Sequence, residues 1–243
     1  MVNDNFIYIK ETDSTSTYLR KLSIERELAE GLVVYTDYQA AGRGQRGNSW
    51  QSEDGQNLLF STILYPSFID VSKPFILSQI VSLGIKNILD EYVDGITIKW
   101  PNDIYWRDKK ICGILVENDI QGTVISKTII GIGININQEN FGEGSGNPVS
   151  MKQITLKDYN RGEILRKIID EILLLYKASK TNPSSIICKY KEHLYRKTGY
   201  HLFGDDSGRF YAEIIDVELS GFLVLKTKQD KIRRYAFKEV RFL

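Results

Sequence analysis

Lys110-Ile111-Cys112-Gly113-Ile114-Leu115-Val116-Glu117 is the stretch on which the fold turns. An apolar run with a cation at its head reads as a buried strand. A second such run occupies residues 124–135, after a turn-forming segment at 119–122. Two strands so close in sequence predict a hairpin. Both carry glycine: Gly113 in the first, Gly131 and Gly133 in the second. A glycine inside a strand weakens it and often marks close approach of a ligand or another backbone. Plain sheet packing and a turn is the alternative. Lys110 can bridge a carboxylate and a phosphate if it points into a cleft, although a lone lysine is usually a solvated surface residue.

Upstream of this pair, residues 6–9 read as a short strand. Asp13 reads as an N-cap, with Ser14, Thr15 and Ser16 in the first turn of a helix running toward Glu30. A strand at 32–36 leads into a Gly- and Arg-rich loop at 40–47, and Leu58–Leu64 forms another strand closed by Pro66. Ser72-Lys73-Pro74 opens a helix with Ile76, Ile80 and Leu83 turned inward. A strand at 96–100 runs into the turn Pro101-Asn102-Asp103. Downstream, residues 138–150 are rich in Gly, Asn and Ser and read as a mobile loop. Asn160 and Glu163 resemble a capping box, and Ile164, Ile168, Ile172 and Tyr176 continue one helical face. After Gly199 only short strands and turns follow, at 200–203, 209–217, 222–226 and 232–236. About fifty residues of this kind fit a small β-barrel near the lower limit for independent folding, expected to pack on the larger part. The expectation is an α+β chain: a mixed sheet flanked by helices over residues 1–193, then a barrel over 194–243.

Composition narrows the function. With 243 residues, 42% of them hydrophobic, a sizeable core is expected and disorder is not. A formal net charge of +1 argues against a dedicated non-specific nucleic-acid binder. Cys112 and Cys188 lie far apart and suggest no disulfide framework, and two histidines give no zinc-ligand spacing. Met1-Val2-Asn3-Asp4 begins no secretory signal, and no apolar run approaches the ~18 residues of a membrane span. A reducing cytoplasm is the expected location.

Four clusters carry candidate chemistry. Gly42-Arg43-Gly44-Gln45-Arg46-Gly47 matches G-x-G-x-x-G, but a polar, turn-like segment and then a strand follow it, so a dinucleotide fold is rejected. A phosphate-binding P-loop also fails, because no Gly-Lys-Ser/Thr completes it. What remains is a pliable backbone with two arginines able to hold phosphate or carboxylate oxygens. Trp50, just beyond, can stack on a purine. A solvated loop with one core tryptophan is equally compatible. In Lys99-Trp100-Pro101-Asn102-Asp103, Asn102 can bond phosphate and Asp103 can hold Mg²⁺, or the pair simply makes the turn. The strand headed by Lys110 is the third cluster. Gly131-Ile132-Gly133-Ile134-Asn135 is the fourth, with Asn135 offering an amide to a phosphate or ribose.

Together and in this order, the clusters resemble the biotin–protein ligase family. The likeness rests on Asp13-Ser14-Thr15, the run from Gln39 to Gly44, Arg46-Gly47, Trp50, Lys99 to Asp103, Lys110, Gly113 to Glu117 and Gly131 to Asn135. It implies a mixed sheet followed by an SH3-like barrel, with ATP and biotin as substrates and Mg²⁺ as cofactor. Ser14, Thr15, Ser16 and Gln39 would meet the biotin head. Gly42, Arg43, Gly44, Gln45 and Arg46 would close over biotin and the adenylate phosphate, and Trp50 would flank adenine. Asn102 and Asp103 would face the triphosphate and metal. Lys110 would contact the biotin carboxylate and the phosphate. Gly113, Gly131 and Ile132 would line the tail channel, and Asn135 would contact the nucleotide side. Lys110, Arg43 and Asp103 are the expected catalytic residues. Three departures stand out: Ser16 where many members have Asn, Gln45 where many have a second Arg, and an end at Phe242-Leu243 that leaves Glu239 as the one match to a C-terminal region near the adenine.

The implied reaction joins biotin to AMP and then passes biotin to a lysine of a biotin carboxyl carrier protein or domain. No Ser-His-Asp or Cys-His arrangement is expected to act as a nucleophile; Cys112, Cys188, His193 and His201 read as structural. Lipoate–protein ligation is the nearest rival, and the Gly-Arg-Gly and Lys-Trp-Pro-Asn-Asp clusters favour biotin. A biotin-sensing repressor is disfavoured because the catalytic pattern begins by residue 13, so no DNA partner is expected. A nucleic-acid role for the basic, aromatic Lys231-Ile232-Arg233-Arg234-Tyr235 is explained more simply by a strand with a solvated face. No membrane partner is expected, and exposed strand edges permit a homodimer.

Overall fold

The computed structural model describes residues 5–142 and 147–243. The expectations for the first four residues and for the centre of the 138–150 loop lie outside the described residues, as does the side chain of Arg46.

The predicted hairpin is the spine of the molecule. β6 (Lys109–Gln121) and β7 (Val124–Ile134) pair antiparallel over most of their length. On one side β7 pairs with β3 (Leu58–Leu64), then come β2 (Val33–Gln39) and the parallel edge strand β1 (Phe6–Thr12). On the other side β6 pairs with β5 (Asp103–Trp106) and then β4 (Ile96–Lys99). The result is one seven-stranded mixed sheet. Every residue of β3 is buried, as expected of a strand covered on both faces.

Helix α1 (Thr15–Glu25) packs on one face with Leu19, Val34, Ile63 and Ile129. Helices α2 (Phe75–Leu89), α4 (Arg161–Ser179) and α5 (Pro183–Glu192) cover the other. Ile164, Ile168, Ile172 and Tyr176 line the buried side of α4, as their spacing predicts. Asn160 caps α4 by accepting from the N–H groups of Gly162 and Glu163. A short α3 (Met151–Thr155) opens on a complete capping box between Ser150 and Gln153.

Four elements depart from the sequence reading. α1 starts after Ser14 rather than Asp13 and stops at Glu25. The reason is local: the Ser14 hydroxyl faces Ser16 at 3.0 Å instead of capping, and Gln39 Oε1 accepts from Thr15 N–H at 2.8 Å. Asp103 is not the end of a turn but the first residue of β5, a strand too short to show periodicity. α3 and α5 lie where no helix was expected, although Ser150–Gln153 and Asn182-Pro183 are both helix-start signals.

The C-terminal part is a five-stranded antiparallel sheet in the order β11 (Ile232–Tyr235), β10 (Leu223–Thr227), β9 (Gly208–Val217), β8 (His201–Asp205), β12 (Arg241–Phe242), compatible with an SH3-like barrel. Its buried side chains, Phe203, Leu223 and Leu225 among them, belong to the same apolar cluster as α2 and α4. Trp100 clinches the junction. Its Nε1 donates to the Gly221 carbonyl at 2.9 Å, and its ring meets Phe237 edge-on at 6.0 Å. The tryptophan of the Lys-Trp-Pro-Asn-Asp motif therefore docks the barrel beside the central sheet.

Candidate active site

Gly113 of β6 lies opposite Gly133 of β7, and Leu115 lies opposite Gly131. Side chains alternate along a strand, so Gly131, Gly133 and Asn135 share one face with Gly113 and Leu115. That face is the floor of a cleft of about 900 Å³. It has room because the glycines put nothing on it.

At one end the floor runs under the start of α1. Ser14, Thr15 and Ser16 are almost fully buried there, yet all three face the cleft. Thr15 Oγ1 lies 2.7 Å from Ser61 Oγ and donates to Gln39 Oε1 at 3.1 Å. A Cβ on Gly131 would sit 3.6 Å from the hydroxyls of both Ser16 and Ser61, so glycine keeps this end open. Hydroxyls, an amide and an incompletely capped helix start make a compact end rich in donors and acceptors.

The other end is charged. Lys110 Nζ pairs with Asp103 Oδ1 at 2.7 Å. The backbone of Lys110 is held by the segment 147–149, donating to the Asn147 carbonyl and accepting from Val149 N–H. Asn135 Nδ2 donates to the Val149 carbonyl at 3.2 Å, while its buried Oδ1 has no partner among the described residues. Tyr105 lines this end, its hydroxyl accepting from Lys99 Nζ at 3.1 Å. Burial, then the charge of Asp103, pushes the Tyr105 phenol well up, so it stays protonated. Burial also lowers the Lys99 ammonium, with Asp103 acting against the shift.

Loop 42–50 spans the cleft as a small closed hairpin. Trp50 N–H donates to the Gly42 carbonyl, Gly44 N–H to the Asn48 carbonyl, and Arg43 bridges Ser49. Only glycine fits at position 42, since a Cβ there would meet the Trp50 carbonyl oxygen at 2.3 Å. The Trp50 indole lies on the glycine pair. Added Cβ atoms would come within 2.7 Å of it from Gly113 and 2.4 Å from Gly133. Trp50 Nε1 is buried without a partner among the described residues.

Fourteen of the expected residues line this one cleft: Ser14, Thr15, Ser16, Gln39, Arg43, Gly44, Gln45, Trp50, Asp103, Lys110, Gly113, Gly131, Ile132 and Asn135. Two do not. Gly42 sits at the base of the loop, where it lets the hairpin close. Asn102 is buried, and its Nδ2 donates to the Ile114 carbonyl at 3.3 Å. Pairing of β5 with β6 ends at Ile104↔Cys112, which leaves that carbonyl without a strand partner and draws Asn102 inward. Asn102 braces the turn that presents Asp103 and does not line the cleft. Gly113 lines the cleft but under Trp50, so it seats the indole.

The sequence reading missed Tyr105, Gln138 and Phe237, all of which line the cleft. Gln138 is part of a buried network with Asn57, whose Nδ2 donates to Gln138 Oε1 at 2.5 Å and to Ser52 Oγ at 2.9 Å, tying the two loops beside the cleft together. Phe237 comes from the barrel, across more than a hundred residues of chain, and no local pattern announces it.

A cleft with a small polar end, a glycine floor and a charged end suits an elongated ligand with a polar head and an anionic tail. Residues 8–135 match the family model of the biotin/lipoate A/B protein ligase family, more than half of the chain, and the chain belongs to that family. Within it, the likeness is to biotin–protein ligases. Over 235 residues the chain is 28% identical to the bifunctional ligase/repressor BirA of Bacillus spizizenii, covering 94% of this chain and 71% of that protein. It is 30% identical over 131 residues to the biotin–[acetyl-CoA-carboxylase] ligase of Paracoccus denitrificans, 53% of each. The structure of the Aquifex aeolicus biotin protein ligase in complex with biotin and ATP matches it with a TM-score of 0.81 at 27% identity, over 98% of this chain and 99% of that one.

Proposed function

We propose that this protein is an ATP-dependent biotin–protein ligase that forms biotinyl-5′-AMP and transfers biotin to the acceptor lysine of a biotin carboxyl carrier protein or domain. One observation carries the reading: the glycine-arginine loop, the Lys110–Asp103 pair and the hydroxyl-lined end of α1 converge on a single cleft. Its volume of about 900 Å³ suits a vitamin joined to a nucleotide.

In this reading the biotin ring system occupies the compact end, its ureido group bonded by Ser14, Thr15, Ser16 and Gln39. The tail crosses Gly131 and brings its carboxylate to Lys110. ATP lies toward Trp50, Ile132 and Asn135, where the unpartnered Asn135 Oδ1 and Trp50 Nε1 offer an acceptor and a donor. A carboxylate oxygen attacks the α-phosphorus, a P–O bond forms, and the bond to pyrophosphate breaks. In the second step the carrier lysine amine attacks the biotinyl carbonyl, a C–N bond forms and AMP leaves. Lys110 and Arg43 hold the two anions together and offset the charge that develops.

Among the described residues no group of three or more His, Cys, Asp or Glu side chains is placed to hold a metal. Asp103, already beside a cation, is one carboxylate at the charged end. That donor set fits Mg²⁺ arriving with ATP and keeping waters and phosphate oxygens as its other ligands. Mg²⁺ would neutralise the leaving pyrophosphate.

The same reading assigns catalysis to residues 1–193 and an auxiliary barrel to 194–243. It places the protein in the cytoplasm, with no DNA or membrane partner and with exposed strand edges that permit a homodimer. No helix among the described residues is long and apolar enough to cross a membrane. Incubating the protein with biotin, Mg·ATP and a biotin carboxyl carrier domain should add one biotinyl group to one lysine, read by mass spectrometry. An unmodified carrier, or a melting temperature raised by lipoate and ATP but not by biotin and ATP, would refute the assignment.

A further inference from the structure

β6 carries a charged side chain on the cleft face that the reading above leaves without a task. Gly113, Leu115 and Glu117 alternate onto the same face as the floor. Glu117 lies one pleat beyond Leu115, opposite Ile129 rather than Gly131. From there its carboxylate accepts two bonds from Arg43, Nη2 to Oε1 at 2.7 Å and Nη1 to Oε2 at 3.3 Å. This is the forked geometry in which a guanidinium holds a carboxylate or a phosphate. The guanidinium is thus already holding an anion, and that anion is part of the chain.

The loop does not need this ion pair to keep its shape. Its hairpin is closed by backbone bonds at Gly42–Trp50 and Gly44–Asn48, and Trp50 is seated on the Gly113–Gly133 pair. What the pair fixes is the direction of one side chain. Arg43 is 44% exposed and Glu117 24%, so the contact is in reach of solvent and exchangeable.

We infer that Glu117 is a built-in competitor for Arg43: a positioning residue that occupies the guanidinium between turnovers and must be displaced by the anionic ligand. This rests on the reading of Arg43 as an anion-holding residue. Its thermodynamic consequence has a definite sign. A ligand that needs Arg43 binds more weakly by the factor with which Glu117 retains it, and a partly exposed pair of this kind is worth roughly two- to five-fold. Removing the competitor therefore tightens the anion and slows its release. A residue that merely shapes the loop has the opposite signature, since its loss loosens binding.

The test is Glu117→Gln in the full chain, which keeps the size of the side chain and removes the charge. In biotin-dependent ATP–pyrophosphate exchange, KM for ATP should fall about two- to five-fold, and biotinyl-adenylate should leave the enzyme more slowly by a similar factor. Glu117→Asp, whose shorter side chain pulls the carboxylate back, should shift KM in the same direction and serves if the glutamine variant folds poorly. In an Arg43→Ala background the effect of Glu117→Gln should vanish. An unchanged or raised KM, or a fall that persists without Arg43, overturns the inference. Wild-type protein without biotin-dependent exchange would instead overturn the ligase reading, so the two failures are distinct.

Discussion

Cations stand beside aromatic rings in both the barrel and the cleft, Arg233 over Phe210 and Lys110 over Trp50, and the two places are built for different ends. In the barrel, Arg233 pairs with Asp205 at 2.8 Å and lies over the Phe210 ring, and Arg234 makes two bonds to Glu218. Tyr235 donates to the same Asp205 and stacks on Phe210. No buried side-chain nitrogen or oxygen described in the barrel lacks a partner. In the cleft, Trp50 Nε1 and Asn135 Oδ1 are buried with no partner among the described residues, and Trp50 lies on glycines that carry no side chains. A buried polar atom left open costs free energy unless something arrives to satisfy it. Open capacity over a bare floor is what separates the cleft from the barrel's satisfied sheet.

The sharpest way to break that contrast is Lys110→Ala. If the cleft charges serve chemistry, biotin-dependent ATP–pyrophosphate exchange should fall by about 10²–10³ in kcat/KM, the weight of one charge-stabilising group. The melting temperature should move by no more than about 2 °C, because the ion pair with Asp103 is partly exposed. Full exchange activity would take Lys110 out of the mechanism. A smaller effect is expected from Gly133→Ala. The new methyl would stand 2.4 Å from Trp50 Cε2, so the indole must leave its seat. KM for ATP should rise about tenfold, as a displaced stacking surface implies, and tryptophan emission should shift to the red. Biotin binding without ATP, at the other end of the floor, should be little changed. An unaltered KM for ATP would show that the seat under Trp50 does not matter.

Much of this was legible before any coordinates. The β6–β7 hairpin, the β3 strand and the inward face of α4 follow from apolar periodicity, which burial enforces residue by residue. The cleft was legible because its parts are short motifs whose residue types suit one chemistry. What escaped was whatever depends on contacts distant in sequence. Asn102 reads as a free amide, and only the end of β5–β6 pairing reveals the carbonyl that claims it. Phe237 reaches the cleft because Trp100 docks the barrel, a contact between segments with no shared periodicity. The Arg43–Glu117 pair spans two motifs that each look complete alone. The shift of the α1 cap from Asp13 to Ser14 has the same origin, since Gln39 from a neighbouring strand takes the N–H that a local cap would satisfy.

The smallest predicted effect probes the barrel side of the contrast. Burial alone would raise the Asp205 carboxyl. The Ser207 hydroxyl and N–H, the Tyr235 phenol and the Arg233 guanidinium outweigh it and hold the group down to about 2. A carboxyl lowered in the folded state contributes stability above its unfolded value of 3.8 and loses it as the pH falls toward about 2. The wild-type melting temperature should therefore drop through that acid window. Asp205→Asn should flatten this limb and lower the melting temperature at neutral pH by about 3–8 °C, the loss of a hydrogen-bonded hub in a chain of this size. KM for ATP should stay where it was. Lys110→Ala has the reverse profile, with activity lost and stability kept, so the two variants together test whether the charges of the two regions are divided between reaction and fold. An Asp205→Asn enzyme with an unchanged acid limb would show that this carboxylate is not what ties the barrel strands together.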